Sequence, residues 1–376
     1  MLIAVAKEVR PGEKRVALVP DIISKLTRAG LEVVIESGAG ISAQFSDEQF
    51  TAAGATVKSG NVISNADVVA SVQPLSPDQM KTLKKGAITI SFLSPTTAVD
   101  SIEAAASAGV TAISLELVPR ISRAQSMDAL TSQALCAGYR ATLVGAELSP
   151  RFFPLLMTAA GTVTPAQVVI LGAGVAGLQA IATSKRLGAV VSAYDVRPSS
   201  ADEVKSMGAK FINLELEALE GSGGYAREMT EDRAAKQREL LTPYISNADV
   251  LITTAAVPGR PAPRLVTADM VATMKPGSVI VDLAAETGGN VEGSVAGEIV
   301  ITANGVKQWG GKDVPSQLPY HASMLFSRNV VNLLLLMTKS VDGKPTGDVI
   351  PDFADEIIDA ATVTMNGSRR TPEGKK

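Results

Sequence analysis

The amino-acid sequence predicts an α/β protein made of two doubly wound units with parallel sheets. Three observations point there. Short, β-branched apolar runs alternate with amphipathic helical stretches from the first residues onward, the alternation restarts near residue 168, and a glycine-rich turn heads the restart. The length of 376 residues suits two domains, and 46% hydrophobic with 19% charged residues excludes wholesale disorder.

In the first unit, strands are expected at Leu2–Ala6, Glu32–Glu36, Asp67–Ser71, Ala87–Ser91 and Val110–Ser114, with helices between them such as Pro20–Ala29 and Ala98–Ala108. A helix from Asp128 to about Glu147 joins this unit to the second. There the strands fall at Val168–Leu171, Val190–Tyr194, Lys210–Leu214, Val250–Thr253 and Val279–Asp282. After Pro315 and Pro319, the apolar helix Ala322–Met337 does not extend the second sheet easily, so it is expected to return to the first domain. That gives residues 1–130 plus 318–376 as a discontinuous first domain and 140–316 as the second. The tail from Val341 is polar, contains glycine and proline, and is expected to fray.

The net charge is −3 and the Lys and Arg residues are scattered, so nucleic acid is not an expected partner. Cys136 is the sole cysteine, which rules out disulfides within the chain and a cysteine-based metal site. Its setting, ALCAGY, suggests a buried small hydrophobe rather than a nucleophile. The N-terminus becomes charged after six residues and does not read as a signal peptide. The most apolar run, VVNLLLLM, is far below the ~20 residues of a membrane helix. A soluble intracellular chain is expected, one that could still dock onto something in a membrane.

VVILGAGVAGLQAIATSKRLGAVVSAYDVR carries the sharpest chemical signal. Gly172, Gly174 and Gly177 form G-x-G-x-x-G directly after a strand and at the start of a helix, with Val175 and Ala176 between them. Asp195 ends the next strand, twenty-one residues past Gly174. That context marks a Rossmann-type dinucleotide fingerprint. Gly172 allows the tight turn, Gly174 lets the backbone approach a pyrophosphate at the helix N-terminus, and Gly177 lets helix and strand pack closely. Asp195 accepts from the adenosine ribose and selects NAD(H). Arg197 could attract a 2′-phosphate, but the carboxylate beside it would repel one.

A substrate dehydrogenase moves a proton as well as a hydride and needs an acid or base. The sole histidine, His321, is placed to cap or pack, though its position near the domain junction keeps a catalytic role open. Glu116 and Asp282 sit at strand ends and serve equally as cleft-lining or loop-bonding carboxylates. The stretch 118–133, VPRISRAQSMDALTSQ, is different, since it concentrates Arg120, Ser122, Arg123, Gln125, Ser126, Asp128 and Thr131 after the last strand of the first domain. Ligands of open α/β sheets lie at the carboxyl ends of strands. Across a cleft from the glycine-rich turn, this cluster would meet the nicotinamide. Ser126 or Asp128 could instead simply cap the following helix. A reaction that moves only hydride needs orientation rather than acid–base chemistry. The segment 220–241, with Gly221, Gly223 and Gly224 ahead of a charged helical stretch, reads either as a surface loop or as a flap carrying Tyr225 toward a site.

The strings RISRAQSMD, MTAAGTV, GAGVAGLQAIATSKRLGA, YDVR, GGYAREM, TTAAVPG and KPGSVIVDLAAETGGN, with KEVRPGEKRVALVP at the N-terminus, resemble the NAD(H)-binding domain of proton-translocating transhydrogenase, its alpha-1 subunit, up to about residue 338. That resemblance implies two doubly wound Rossmann-like domains with parallel sheets, a cleft between them and a long linking helix. It implies that Arg120, Ser122, Gln125 and Asp128 contact the nicotinamide half of NAD(H), with Gln125 closest to the transferred hydride. Thr131 stands where the family usually has Ser. Asp195, Val196 and Arg197 match the adenosine side, and Gly224, Tyr225, Gln237 and Ala256 match a flap and the adjoining pocket, a gating role. It further implies hydride transfer to NADP(H) held on a partner beta subunit, proton movement through a membrane-spanning alpha-2-type subunit, a homodimer, and a cytoplasmic position peripheral to the membrane.

Alanine dehydrogenase shares the fold and the N-terminal pattern. Where it has a strand-end Lys, a His and an Asp, this chain has Gln73 in SVQPL, Ser94 in SFLSP and Glu286, and only Arg15 is kept. The missing ammonium partner and proton shuttle argue against amino-acid chemistry. A non-catalytic NAD-binding module is the third possibility.

Overall fold

A computed structural model of the chain describes residues 1–214, 216, 230–256 and 259–370. The chain divides into two compact units, one of residues 1–133 with 315–376 and one of 134–314. The boundary falls within the first turns of the helix Ala129–Leu148.

In the first unit, six parallel strands stand in the order Thr56–Lys58, Glu32–Glu36, Leu2–Val5, Val68–Ala70, Ile88–Ser91, Thr111–Ser114. Numbered along the chain the order is 3-2-1-4-5-6, so the winding reverses between Leu2–Val5 and Val68–Ala70. Both faces are buried, as near-continuous apolar strands require. Ile3 and Val5 join one core, with Phe326, Val330 and Leu334 of the helix Pro319–Met337, while Ala4 and Ala6 join the opposite core with Met80 and Ile102.

The second unit repeats the plan. Lys210–Phe211, Val190–Tyr194, Gln167–Leu171, Val250–Thr253, Val279–Asp282 and Lys307–Gly310 run parallel in the order 3-2-1-4-5-6, and Ile299–Ile301 adds an antiparallel edge. Alternation again separates two cores. Val168 and Ile170 pack on one side, Val169 and Leu171 on the other. The long helix packs here through Gly138 and Thr142, whose hydroxyl reaches the Ala180 carbonyl at 3.1 Å.

Parallel strands dominate both sheets as expected, and each sheet gains antiparallel strands at one edge. Two expectations need correction. The strand expected at Lys210–Leu214 is only Lys210–Phe211. The described tail, expected to fray, is ordered structure. Thr338–Val341 and Lys344–Val349 form a hairpin, and Thr362–Met365 pairs antiparallel with Thr111–Ser114 and carries Ser368–Arg369 outside it. Composition misled here: Thr364 donates its hydroxyl to the Val110 carbonyl at 2.8 Å and receives the Ala112 N–H at 3.0 Å, so a polar residue stitches the edge. Both turns carry a local hairpin signal, Asp342-Gly343 and Asn366-Gly367, each with positive φ at both residues. Among the described residues, no helix is long and apolar enough to cross a membrane.

Candidate functional site

The strand Gln167–Leu171 ends in Gly172 at φ +100°, and the helix Val175–Arg186 begins three residues later. A Cβ on Gly172 would meet Thr254 Oγ1 at 2.6 Å, and one on Gly177 would meet the Gly172 carbonyl oxygen at 1.9 Å. Packing within the chain therefore demands both glycines. Gly174 is different, because its φ is −75° and a Cβ there would find no atom within 4 Å. It is the N-cap of a helix with no side-chain cap, and Val175 and Ala176 form the half-buried first turn. Nothing inside the chain requires a glycine at 174, whereas an anion drawn close to the backbone there would.

This turn lies at the switch point of its sheet, beside the end of Val250–Thr253. The loop that follows is held by Asn290, fully buried, whose Oδ1 accepts from the Ala255 N–H at 3.0 Å while Nδ2 donates to the Ala255 and Pro263 carbonyls at 2.8 and 2.9 Å. Sequence reasoning missed this clamp; the GGN at 288–290 is its only trace. Ala256 is exposed on that loop.

Asp195 bonds back to the turn, its Oδ2 accepting from the Ala173 N–H at 2.7 Å, and it forms an ion pair with Arg197 at 2.8 Å. Val196 packs half-buried against the core behind. Gln237, expected in the adenosine pocket, is 1% exposed, and its Oε1 accepts the Tyr194 hydroxyl at 2.8 Å. Burial pushes that phenol up to about 12, so it remains a donor at neutral pH. Gln237 thus braces the strand that carries Asp195 rather than facing an opening. Gly224 and Tyr225 lie outside the described residues.

In the other unit, Arg120, Ser122, Gln125, Asp128 and Thr131, with Pro119 and Ile121, line one cavity of about 450 Å³. Ala124 and Met127 anchor the intervening single turn Ser122–Met127 in the core, which turns Gln125 outward. Asn329 and Asn332 secure it by donating to the Ser126 carbonyl at 2.9 and 3.0 Å. Asp128 caps the long helix: its Oδ1 accepts the Thr131 N–H at 2.8 Å and its Oδ2 the Thr131 hydroxyl at 2.7 Å. Arg123 does not join the cavity, since its guanidinium grips Asp355 at 2.5 and 3.1 Å and holds that carboxyl below its usual range.

The remaining candidates resolve into structural roles. Glu116 accepts from the Leu93 and Ser94 N–H groups, and Asp282 from Thr253, Ala284 and Val291, so both bond loops. His321 is exposed, edge-on to Tyr320, and Cys136 is buried. Arg15 is enclosed. Its Nε and Nη2 donate to Glu13 at 2.8 and 2.6 Å and its Nη1 to Gln133 at 2.8 Å, while Gln73 bonds the same Glu13 at 2.7 Å. Burial would raise the Glu13 carboxyl, but Arg15 holds it down at about 2. Beside it, Glu8 accepts from the Val72 N–H at 2.6 Å and is pushed up to about 7, chiefly by burial. This network, at the switch point of the first sheet, escapes sequence reasoning because its members are scattered from residue 8 to 316.

Two sheets of 3-2-1-4-5-6 order, one with a glycine-rich turn at its switch point, define a doubly wound α/β protein of the nucleotide-binding type. The chain belongs to the alanine dehydrogenase/PNT family: the N-terminal domain of that family matches residues 4–137 and the C-terminal domain residues 141–372. It is 48% identical to the first of the polypeptides that make up NAD(P) transhydrogenase subunit alpha in Rhodospirillum rubrum, over 98% of this chain and 97% of that protein. A crystal structure of transhydrogenase from Sinorhizobium meliloti is 40% identical, covers 99% of both chains and superimposes with a TM-score of 0.86. An L-alanine dehydrogenase structure is more distant, 26% identical over 99% of this chain and 97% of that one, with a TM-score of 0.78.

Proposed function

We propose that this chain is the NAD(H)-binding subunit of a proton-translocating transhydrogenase, an oxidoreductase that passes hydride between NADH and NADP+ held on a partner. One observation carries the reading. The polar residues at the candidate nicotinamide site converge on one cavity that holds hydrogen-bonding groups and no histidine, suited to orienting a ring rather than to moving a proton. When bound, the nicotinamide supplies the hydride chemistry.

The chain's own residues bind and orient. Gly174 admits the pyrophosphate to the helix N-terminus, with Val175 and Ala176 supplying the first-turn backbone, and Asp195 offers acceptors to the adenosine ribose. Arg120, Ser122 and Gln125 hold the carboxamide end, with Gln125 nearest the transferred hydride. Asp128 and Thr131 fix the base of that cavity through their mutual bonds. The NADP(H) site belongs to a beta-type partner and proton passage to a membrane-spanning alpha-2-type partner. The chain itself works as a homodimer at the cytoplasmic face. Amino-acid dehydrogenation is disfavoured because the Arg15 fork that a carboxylate substrate would need is already engaged by Glu13.

The test is spectrophotometric: the chain with NADH and an oxidised NADP analogue, with and without a purified NADP-binding partner domain. Transfer only in the partner's presence is expected. Saturable NADH binding with no transfer to an active partner, or alanine oxidation by the chain alone, would overturn the reading.

A further inference from the structure

Arg197 stands two residues from Asp195 and grips its carboxylate as a fork, Nε to Oδ1 at 2.8 Å and Nη2 to Oδ2 at 2.9 Å. The same oxygens accept the Arg197 N–H at 2.9 Å and the Ala173 N–H at 2.7 Å. A carboxylate offers roughly four lone-pair positions, and here four donors occupy them. The side chains are 20% exposed for Arg197 and 7% for Asp195. A cation is thus held at the strand end where doubly wound proteins read the adenosine ribose. In that position a carboxylate selects a free 2′-hydroxyl, and a nearby arginine accommodates a 2′-phosphate. This chain has both, and the first holds the second.

We propose that Arg197 is a masked 2′-phosphate-binding residue, and that Asp195 sets nucleotide choice both by bonding the ribose and by keeping Arg197 folded against itself. The proposal rests on the NAD(H) reading of this site. Ribose binding must loosen part of the fork, since its hydroxyls need acceptor positions that the guanidinium holds. A 2′-phosphate would meet the carboxylate at close range and be repelled. With Asn at 195, the amide oxygen still accepts the Ala173 N–H, the charge is gone, and a dianionic phosphate becomes the better partner for the planar guanidinium.

Fluorescence titration of the full chain with NADH and NADPH, on wild type, Asp195→Asn and Asp195→Asn/Arg197→Gln, tests this, with 2′,5′-ADP and ADP as competitors. Asp195→Asn should tighten NADPH at least about tenfold. In that variant 2′,5′-ADP should displace better than ADP, and the double variant should lose the gain. No NADPH gain, or a gain that survives Arg197→Gln, overturns the proposal while leaving the NAD(H) reading intact. Failure of the wild type to bind NADH sinks both. Asp195→Ser, which also keeps an acceptor for Ala173, repeats the test should the Asn variant not fold.

Discussion

Thr131 gives both its backbone N–H and its hydroxyl to the carboxylate of Asp128, at 2.8 and 2.7 Å, so a helix cap forms part of the cavity wall. Stability and binding can be separated at this pair. Asp128→Ala should cost about 1 kcal/mol by losing the cap. Asp128→Asn keeps an acceptor for the Thr131 N–H and should melt within a few degrees of wild type. If the charge also serves the nicotinamide, hydride transfer by the Asn variant should fall about tenfold or more while its melting is preserved. Parallel thermal melts and partner-reconstituted rates read the two effects; an unchanged rate would leave Asp128 a cap alone.

Gly174 and Gly177 should respond oppositely to a single methyl. Gly177→Ala drives a Cβ into the Gly172 carbonyl and should destabilise the fold by roughly 2 kcal/mol or more. Gly174→Ala meets open space at an ordinary φ and should leave the melting temperature unchanged, yet weaken NADH by about tenfold by holding off the pyrophosphate. Titration calorimetry with a melt on each variant decides it. Equal NADH affinity in Gly174→Ala would remove the pyrophosphate from this turn.

Glu8 and Glu13 impose opposite pH dependences. The Glu13 carboxyl, held at about 2 against an ordinary 4.5, makes stability rise as pH climbs from about 2 to 4.5. The Glu8 carboxyl lies near 7 in the folded chain, so the native state holds its proton more tightly than the unfolded state, and stability falls as pH climbs from about 4.5 through 7. Glu8→Gln should flatten that second limb, worth on the order of 1 to 3 kcal/mol. Denaturant melts from pH 4 to 8 would show it, and an unchanged slope would count against a buried titrating Glu8.

Asn290 supports the loop at the switch point through one acceptor bond and two donor bonds, all buried or partly so. Asn290→Ala should cost about 2 kcal/mol by stranding those backbone groups, and Asn290→Asp should not restore it, because the amide's donors are the larger share. Hydrogen exchange at Ala255 and Ala256 should accelerate in both variants; protection unchanged from wild type would mean the loop holds itself.

Local pattern made much of this architecture legible in the chain. Leu2–Val5, Glu32–Glu36, Val190–Tyr194 and Val279–Asp282 announce themselves because a strand buried on both faces must be apolar at nearly every position. The glycine-rich turn announces itself because its glycines answer to atoms a few residues away. The crowding of polar residues at 120–131 was visible for the same reason, a short stretch of chain wrapping one cavity. What only the tertiary structure decided depends on distant partners. Thr364 finds its strand at Val110 and Ala112, Gln237 turns inward to Tyr194, and Arg15 closes on Gln133. No periodicity within a window of residues encodes those meetings, since each polar group is placed by the partner that satisfies it and burial leaves none without one for long.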